Sequence, residues 1–297
     1  MKFILGIDIG GTHIRLGLVA KKDHLTHFQQ LKTDTVFTSS DPIKDLATMI
    51  NSYLDKTNSR QHVIAVAIGF PSTVDKSSKI VLSTPNIPTL QNINIVDGLA
   101  METGFPVYIG RDVHFLMVFD LYKQQLSTSG VILGFYFGTG IGNAIFIDGK
   151  PLRGKNGVAA ELGHVPIIHD DSVCTCGNVG CVENYASGRY LAKLALEEFP
   201  DCDISDLFTF HGNHHKITTF IENMAIVIAT EVNLLDPEYI ILGGGILQMK
   251  NFPKTTLEAK IKEKSRKPVP SENLDIYYAQ TGQENGVIGA AIHAFKQ

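Results

Sequence analysis

A short glycine-rich turn between two strand-like segments occurs twice in the chain, and this repeated pattern is the strongest constraint on its fold. In the first copy, the apolar run 3–7 leads to the turn Gly10-Gly11-Thr12, and apolar residues alternate with others through 14–19. A period of two predicts a strand after the turn. In a dinucleotide-binding loop, by contrast, a helix follows the turn and its N-terminus holds the pyrophosphate. The pattern therefore predicts a β-hairpin and excludes a dinucleotide-binding loop.

The second copy lies near the middle of the chain. Its two strands are the runs 131–137 and 143–147. The turn between them contains Gly138, Thr139, Gly140 and Gly142. Two hairpins of one design in the two halves of the chain predict a duplicated architecture of two similar lobes.

The remaining segments alternate between strand-like and helix-like patterns, which predicts an α/β fold. The predicted strands are 62–68, 107–109 and 239–242, and the predicted helices are 41–55, 95–104, a stretch that ends at Tyr122, 221–235 and 286–295. No linker rich in Pro or Ser separates the halves, so we expect two closely packed lobes that share a cleft. We place the smaller lobe at 1–118 plus 280–297 and the larger lobe at 119–279.

Composition and charge restrict the partners of the chain. Of its 297 residues, 19% are charged, and the net charge is −4. No basic patch for nucleic acid is visible. The apolar run at the start is interrupted by Asp8, which makes it too short for a signal peptide or a membrane span, and no other stretch approaches a span. We therefore expect a cytoplasmic protein that binds neither nucleic acid nor membrane.

The two glycine turns are candidate phosphate sites. Because glycines have no side chain, their backbone N–H groups can approach a phosphate closely. Asp8 lies beside Gly10, Gly11 and Thr12, and a carboxylate at that place can hold hydrated Mg²⁺. A plain hairpin with an Asp in its turn is the alternative for the first copy. The second turn favours the phosphate interpretation, because two such turns on two lobes can bind a polyphosphate from both sides.

A third glycine cluster follows a predicted strand. It consists of Gly243, Gly244 and Gly245. An ordinary strand-to-helix turn rarely needs three glycines. We predict that this backbone forms a flat surface for a nucleotide base or ribose.

Three cysteines within eight residues form a candidate metal site. Cys174, Cys176 and Cys181 follow His164 with the spacing His-x9-Cys-x-Cys-x4-Cys. Three thiolates and one imidazole complete a tetrahedral Zn²⁺ shell, which is typical of a structural site. A loop with incidental thiols is the alternative, and so tight a cluster in a cysteine-poor chain disfavours it. Spacing alone leaves open whether His164 is the fourth ligand.

Three carboxylates are candidates for a role near these sites. Glu161 and Glu183 lie on either side of the cysteine segment, and each either contacts a polar ligand or is a solvated charge. Asp112 follows a predicted strand, and a carboxylate at the carboxyl end of a strand faces the ligand site of an α/β protein. It suits the residue that orients and deprotonates an attacking hydroxyl in phosphoryl transfer. An N-cap for the following helix is the alternative.

Together these motifs resemble those of the ROK family, which groups sugar kinases with transcriptional repressors. The segments 8–12 and 138–142 are similar to its two ATP phosphate motifs. The segment 161–164 matches its ExGH motif, and 174–183 matches its CxCGxxGCxE zinc signature. The resemblance covers the whole chain.

The resemblance implies an actin-like, hexokinase-type (ribonuclease H-like) fold of two lobes with a hinged cleft. It further implies ATP with Mg²⁺ as the phosphate donor, a structural Zn²⁺ and a homodimer. Asp112 would be the catalytic base, and His164 would join the three cysteines on zinc. Glu161, His164 and Glu183 would contact the sugar.

The segment around the base departs from the family pattern. The family has Glu-Asn-Asp-Ala-Asn there, whereas 110–114 reads Gly-Arg-Asp-Val-His. Arg111 replaces a neutral amide by a larger, always charged group, which must alter the pocket. Arg-Asp-Val, together with 69–71 and 83–88, resembles the D-allose kinases of the family, and Asn86 is expected to touch the sugar.

We therefore expect a hexose 6-kinase, with D-allose as the leading substrate and glucose or N-acetylmannosamine as alternatives. A sugar-responsive repressor is the alternative from another class. Family members of that class carry a DNA-binding domain before the first phosphate motif. Here that motif begins at Asp8, which favours the kinase.

Overall fold

The computed structural model of the protein describes residues 1–84, 87–167 and 171–297. The chain divides into two units, which are described separately. The first comprises Met1–Ser127, Arg153–Ala159 and Gln280–Gln297, and the second comprises Thr128–Leu152 and Ala160–Ala279. These two units are defined by the contacts within the chain. The lobe boundaries that we expected from the sequence remain a prediction.

The elements have the following bounds. The strands are β1 (Phe3–Ile9), β2 (His13–Ala20), β3 (His24–Lys32), β4 (Val63–Phe70), β5 (Thr73–Val74), β6 (Ile80–Ser83), β7 (Ile93–Asn94), β8 (Val107–Arg111), β9 (Val131–Phe137), β10 (Ile141–Ile147), β11 (Lys150–Pro151), β12 (Tyr239–Gly243) and β13 (Ile276–Tyr278). The α-helices are α1 (Thr33–Val36), α2 (Pro42–Lys56), α3 (Ile95–Thr103), α4 (Asp112–Lys123), α5 (Glu183–Ala186), α6 (Gly188–Glu198), α7 (Leu207–His211), α8 (His215–Leu235), α9 (Lys254–Lys264) and α10 (Asn285–Ala294). The 3-10 helices are Arg60–His62, Leu162–His164, Ile204–Asp206 and Gly245–Gln248.

Each unit contains a five-stranded sheet, and the two sheets have the same topology. The strand orders are β3-β2-β1-β4-β8 and β11-β10-β9-β12-β13. In each sheet an antiparallel hairpin, β1–β2 or β9–β10, continues into two parallel neighbours, β4 and β8 or β12 and β13. Both glycine turns join the strands of these hairpins. The predicted hairpins and the predicted duplication are therefore confirmed in strand order and direction.

The alternation of side chains along β1 buries both faces of the first sheet. Leu5 and Ile7 lie in a core shared with α2 and α3, whereas Ile4 lies in a second core shared with α4 and α10. Gly6 faces α10, where an added Cβ would lie 2.2 Å from the carbonyl oxygen of Val287. Only a residue without a side chain lets the helix pack so closely. Helices thus cover both faces of this sheet, as expected for an α/β fold.

Helix α8 is the central helix of the second unit. Met224, Ile228 and Val232 are buried in a core with β9, α6 and α9. Among residues 1–84, 87–167 and 171–297, it is the one helix whose length and composition would allow it to cross a membrane, which corrects the expectation that no stretch after the first approaches a span. More than half of that apolar stretch is buried within the fold, and a core helix meets the same criterion.

Helix α8 also carries a buried carboxyl group. Glu231 is 6% exposed, and its Oε2 accepts a hydrogen bond of 2.8 Å from Nδ2 of the fully buried Asn143. Burial raises the pKa of Glu231 from its ordinary value of 4.5 to about 7, although the bond from Asn143 opposes this shift. The folded protein therefore holds a proton on Glu231 over a pH range in which the unfolded chain releases it.

We expect Glu231→Gln to stabilise the protein at alkaline pH. Because the folded pKa lies above the unfolded one, the stabilising contribution of the protonated carboxyl group is complete below pH 4.5 and is lost as the pH rises through 7. At about 1.4 kcal/mol per pKa unit, the loss is on the order of 3 kcal/mol. Glutamine keeps an oxygen for Asn143 and never becomes charged. The gain in the free energy of unfolding should therefore grow as the pH rises, and urea unfolding from pH 5 to pH 8 measures it.

Glu222→Gln is the matched control for this prediction. Glu222 lies on the same helix, but its side chain is 37% exposed and pairs with Lys264. Its pKa is lowered, first by the hydrogen bond from Lys264, so it does not titrate in this range. If the free energy of unfolding of Glu231→Gln changed with pH in the same way as that of the wild type, the prediction would be contradicted.

Candidate functional site

The first glycine turn lies between β1 and β2 and is held by hydrogen bonds on one side. The N–H of Gly10 donates to the carbonyl oxygen of His13 at 2.8 Å. Thr33 donates its hydroxyl to the carbonyl oxygen of Gly10 at 2.7 Å and its N–H to that of Thr12 at 3.0 Å. Within the described parts of the chain, the N–H groups of Gly11 and Thr12 donate to no protein acceptor. Both residues are exposed, so two adjacent donors are available to an anion.

Asp8 lies at the end of β1, beside this turn. The hairpin register places it directly opposite Arg15, whose Nη1 is 3.7 Å from Oδ2 of Asp8. The Asp8 side chain is 17% exposed. Burial raises the pKa of Asp8 to about 6, and the guanidinium of Arg15 offsets only part of this effect. A divalent cation would favour the ionised carboxylate, so Asp8 fits the role of an oxygen ligand or water anchor for Mg²⁺.

Parallel pairing brings Asp8 and Asp112 to the same edge of the first sheet. The register aligns Asp8 with Gly69 and Gly69 with Gly110, and β8 ends at Arg111. A Cβ on Gly69 would lie 3.4 Å from the Cα of Asp112 and 3.5 Å from Oδ1 of Asp8. Asp112 therefore lies at the carboxyl end of a parallel strand, where the sequence pattern places it.

Asp112 is the first residue of α4 and not its cap. Arg111 occupies the N-cap position and makes no capping hydrogen bond with its side chain. Oδ1 of Asp112 accepts a hydrogen bond of 2.7 Å from the N–H of Val113. The N-cap alternative is therefore wrong. The carboxylate lies within the first helical turn, where the helix dipole favours negative charge.

Arg111 holds a segment that is distant in sequence. Its side chain is buried, and Nη1 donates to the carbonyl oxygen of Ala159 at 2.7 Å. Arg153, at the other end of the segment Arg153–Ala159, donates to the carbonyl oxygen of Lys76 at 3.2 Å and to Oγ of Ser78. The two guanidinium groups thus fix both ends of this segment within the first unit.

His114 is a buried imidazole near several basic side chains. It is 8% exposed, and its pKa is lowered to about 3 by burial, then by Arg111, Arg153 and His293. The imidazole is therefore neutral at physiological pH. This neutral ring occupies the position where the family pattern has an asparagine.

The predicted metal ligands come together in the second unit. The ligand atoms of His164, Cys174, Cys176 and Cys181 all lie within 4.8 Å of one another. Nδ1 of His164 is 3.7 Å from Sγ of Cys174, and the Sγ atoms of Cys176 and Cys181 are 3.7 Å apart. In a tetrahedron with Zn–S distances of about 2.3 Å, the sulfur atoms are about 3.8 Å apart. The four side chains therefore fit a zinc shell, with His164 as the candidate fourth ligand.

The loop of the metal ligands is shaped by its own backbone. The N–H of Cys174 donates to the carbonyl oxygen of Asn178 at 2.8 Å, and the N–H of Gly177 donates to that of Cys174 at 2.9 Å. Gly177 has φ = +90°, a conformation that favours glycine. Burial raises the pKa of Cys174, but hydrogen bonds from Cys176, Cys181 and His164 outweigh it and lower the pKa to about 7.

Glu161 lies on the far side of the His164 ring. Its Oε2 is 3.7 Å from Nε2 of His164, whereas Nδ1 faces the cysteines. A carboxylate at the second nitrogen orients a metal-binding imidazole. The two side chains are 33% and 31% exposed, so both also remain accessible to a ligand.

Glu183 contacts the second glycine turn. Its Oε2 accepts a hydrogen bond of 2.9 Å from the N–H of Ile141, and Oε1 lies 3.8 Å from Nη1 of Arg189. The side chain is 12% exposed. The alternative of a solvated charge is therefore wrong for Glu183.

Packing accounts for two glycines of the third cluster. A Cβ on Gly243 would lie 2.6 Å from that of Ala279, and a Cβ on Gly244 would lie 2.3 Å from the carbonyl oxygen of Phe137. Gly244 also has φ = +94°. Only at Gly245 does an added Cβ meet open space. A nucleotide surface at this cluster stays a prediction, and Gly245 is its accessible part.

The pattern of the sequence missed two arginines near these sites. Arg15 was detectable, because the period of the hairpin places it opposite Asp8. Arg189 could not be detected from the sequence, because only the fold brings helix α6 close to the cysteine loop. Asn86, which was predicted to touch the sugar, lies outside the described residues.

Comparisons with known proteins find relatives that match almost the whole chain. The glucokinase of Thermotoga maritima is 24% identical over 308 residues, which cover 97% of this chain and 96% of that protein. The N-acetyl-D-glucosamine kinase of Pectobacterium atrosepticum is 27% identical over 304 residues, which cover 97% of each chain. A crystal structure of a ROK family glucokinase from Streptomyces griseus, in complex with glucose and AMPPNP, matches with a TM-score of 0.82 and 25% identity over 99% of this chain and 100% of that one.

These likenesses confirm the hexokinase-type, two-lobed α/β fold that the sequence predicts. The model of the ROK family matches residues 4–297. That match includes both glycine turns, Asp112 and all four candidate zinc ligands. The chain therefore belongs to the ROK family.

Proposed function

We propose that this ROK-family sugar kinase transfers the γ-phosphoryl group of ATP to the 6-hydroxyl group of a hexose, and that D-allose is its preferred substrate. The observation that carries the proposal is the position of Asp112, which shares a sheet edge with Asp8 and its glycine turn. A base and a set of phosphate donors are what phosphoryl transfer requires. The relatives named glucokinase and N-acetyl-D-glucosamine kinase support a hexose as the acceptor class.

Asp112 acts as the base in this proposal. Its carboxylate orients the sugar hydroxyl and accepts the proton as the hydroxyl oxygen attacks the γ-phosphorus. A new P–O bond to the sugar forms while the bond from the γ-phosphorus to the β,γ-bridging oxygen breaks, and ADP leaves. The N–H groups of Gly11 and Thr12 donate to phosphate oxygens.

Asp8 is proposed to hold the magnesium ion, directly or through water. Mg²⁺ supplies positive charge that offsets the negative charge of the phosphates. Asp8 is partly buried, and Arg15 lies 3.7 Å from its carboxylate, which remains suited to a second cation.

The zinc cluster is proposed to shape the sugar site without taking part in the chemistry. Four protein ligands fill a tetrahedral shell and leave no position for a substrate, which is the pattern of a structural site. By resemblance to the family, Glu161, His164 and Glu183 contact sugar hydroxyls. The exposed faces of Glu161 and His164 support this role.

Arg111 is the proposed basis of the sugar preference, and Asn86 is proposed to touch the sugar. Allose differs from glucose at the 3-hydroxyl group, and Arg111 replaces the asparagine that the family has next to the base. The guanidinium alters the shape, charge and hydrogen bonding of that site. Glucose and N-acetylmannosamine are the alternative substrates.

By resemblance we also propose that the protein is cytoplasmic and forms a homodimer. Light scattering of the purified protein tests the oligomeric state.

A coupled ADP-release assay over a panel of sugars tests the function. The panel contains D-allose, D-glucose, N-acetylmannosamine and N-acetylglucosamine. We expect kcat/KM for allose to exceed that for glucose by about tenfold or more, which corresponds to ~1.4 kcal/mol of transition-state binding. A kcat/KM for glucose equal to that for allose would contradict D-allose as the preferred substrate. A lack of turnover with every sugar would contradict the proposed kinase activity.

A further inference from the structure

We propose that Glu183 is a positioning residue for the second glycine turn, and that it sets the affinity for the nucleotide in addition to any contact with the sugar. The inference rests on the proposed function, because it assumes that this turn binds ATP phosphates. It assigns Glu183 a second partner, the backbone of residues 138–142.

The second turn presents two adjacent N–H groups, as the first turn does. The N–H of Gly138 closes the turn on the carbonyl oxygen of Gly140 at 3.0 Å. In the part of the chain that the structure describes, the N–H groups of Thr139 and Gly140 donate to no protein acceptor. Thr139 is exposed. These two groups are the donors that a phosphate would engage.

The direction of these donors is set by helix α6. The N–H of Gly188 donates to the carbonyl oxygen of Gly138 at 2.8 Å, and that of Arg189 donates to the carbonyl oxygen of Thr139 at 3.0 Å. In a trans peptide the carbonyl group and the following N–H point in opposite directions. Because both carbonyl groups point towards α6, the N–H groups of Thr139 and Gly140 point away from it.

Glu183 fixes the other end of the turn. Its Oε2 accepts the hydrogen bond of 2.9 Å from the N–H of Ile141, the next peptide along the chain. A Cβ on Gly140 would lie 2.4 Å from the same oxygen, so the carboxylate occupies the space that a side chain at position 140 would take. Hydrogen bonds to a charged acceptor are stronger than those between neutral groups. Removing Glu183 would therefore remove the side-chain support of the turn at Ile141, where β10 begins.

The carboxylate is itself held from the cysteine loop. Nη1 of Arg189 lies 3.8 Å from Oε1 of Glu183 and 3.3 Å from Oγ1 of Thr175. Thr175 lies between two candidate zinc ligands, Cys174 and Cys176. Through Glu183, the folded cysteine loop thus supports the proposed nucleotide turn within the same unit.

Binding of ATP to the zinc-loaded full chain, without sugar, tests the inference by isothermal titration calorimetry. We expect Glu183→Ala to weaken ATP binding by about tenfold or more, the loss expected for a charge-assisted hydrogen bond. Glu183→Gln keeps an oxygen in reach of Ile141 and should restore most of the affinity. In turnover assays, KM for ATP should rise more than kcat falls. An unchanged dissociation constant for ATP in Glu183→Ala, with only the KM for sugar raised, would overturn the inference.

Two further variants remain informative if Glu183→Ala does not fold. They separate the effect of the length of the side chain at position 183 from the effect of its charge. Glu183→Asp keeps the charge but withdraws the oxygen from Ile141, so it should bind ATP more weakly than Glu183→Gln, and the reverse order would overturn the inference. Glu197→Gln removes an exposed carboxylate of α6 that pairs with Lys193 and should leave ATP affinity unchanged. A wild-type protein that does not bind ATP would overturn the proposed function itself.

Discussion

Replacing Asp112 by asparagine is expected to lower kcat by about 10²- to 10⁴-fold, the range of general-base catalysis, while sugar binding changes little. Asparagine has the same shape and keeps an oxygen for the N–H of Val113, so the first turn of α4 should stay intact. It lacks the ability to take the proton of the attacking hydroxyl. The ADP-release assay measures kcat, and calorimetry measures the dissociation constant of the sugar.

Asp97→Asn is the matched control for this substitution. Asp97 also lies in the first turn of a helix, α3, but its side chain is 58% exposed and pairs with Lys79 at 3.2 Å. Turnover should not change in this variant. A kcat for Asp112→Asn close to that of the wild type would remove Asp112 as the base.

Replacing Cys181 by serine is expected to remove the bound zinc, from about one ion per chain to nearly none. Cys181 is fully buried, and a serine hydroxyl does not replace a thiolate as a zinc ligand. Because the binding free energy of a structural zinc contributes to folding, the melting temperature should fall as well. Elemental analysis of protein purified without chelator measures the metal, and circular dichroism measures the melting temperature.

Cys202→Ser is the control for this prediction. Cys202 is partly exposed and lies outside the group of His164, Cys174, Cys176 and Cys181. Its replacement should leave the zinc content unchanged. Wild-type protein with far less than one zinc per chain, or Cys181→Ser with full zinc content, would contradict the metal site.

The sequence predicted the elements well wherever a pattern repeats over several turns or pleats. Both hairpins, and the helices that were expected at 41–55 and 95–104, agree with the structure within two residues. Helix α8 was expected from residue 221 but begins at His215. Ile217 and Phe220 are buried and continue the apolar period of the helix towards its N-terminus, so the predicted start was too late. The side chain of His214 caps the helix by accepting a hydrogen bond from the N–H of Lys216.

The sequence by itself determined the parts of the site whose members are close in the chain. The glycine turns and the cysteine loop are of this kind, because local backbone geometry brings their residues together. Only the tertiary structure decided the partners of Glu183 and Arg111. Glu183 contacts Ile141 across 42 residues, and Arg111 contacts Ala159 across 48. Such contacts depend on the order and register of strands, which the period of a single segment does not encode.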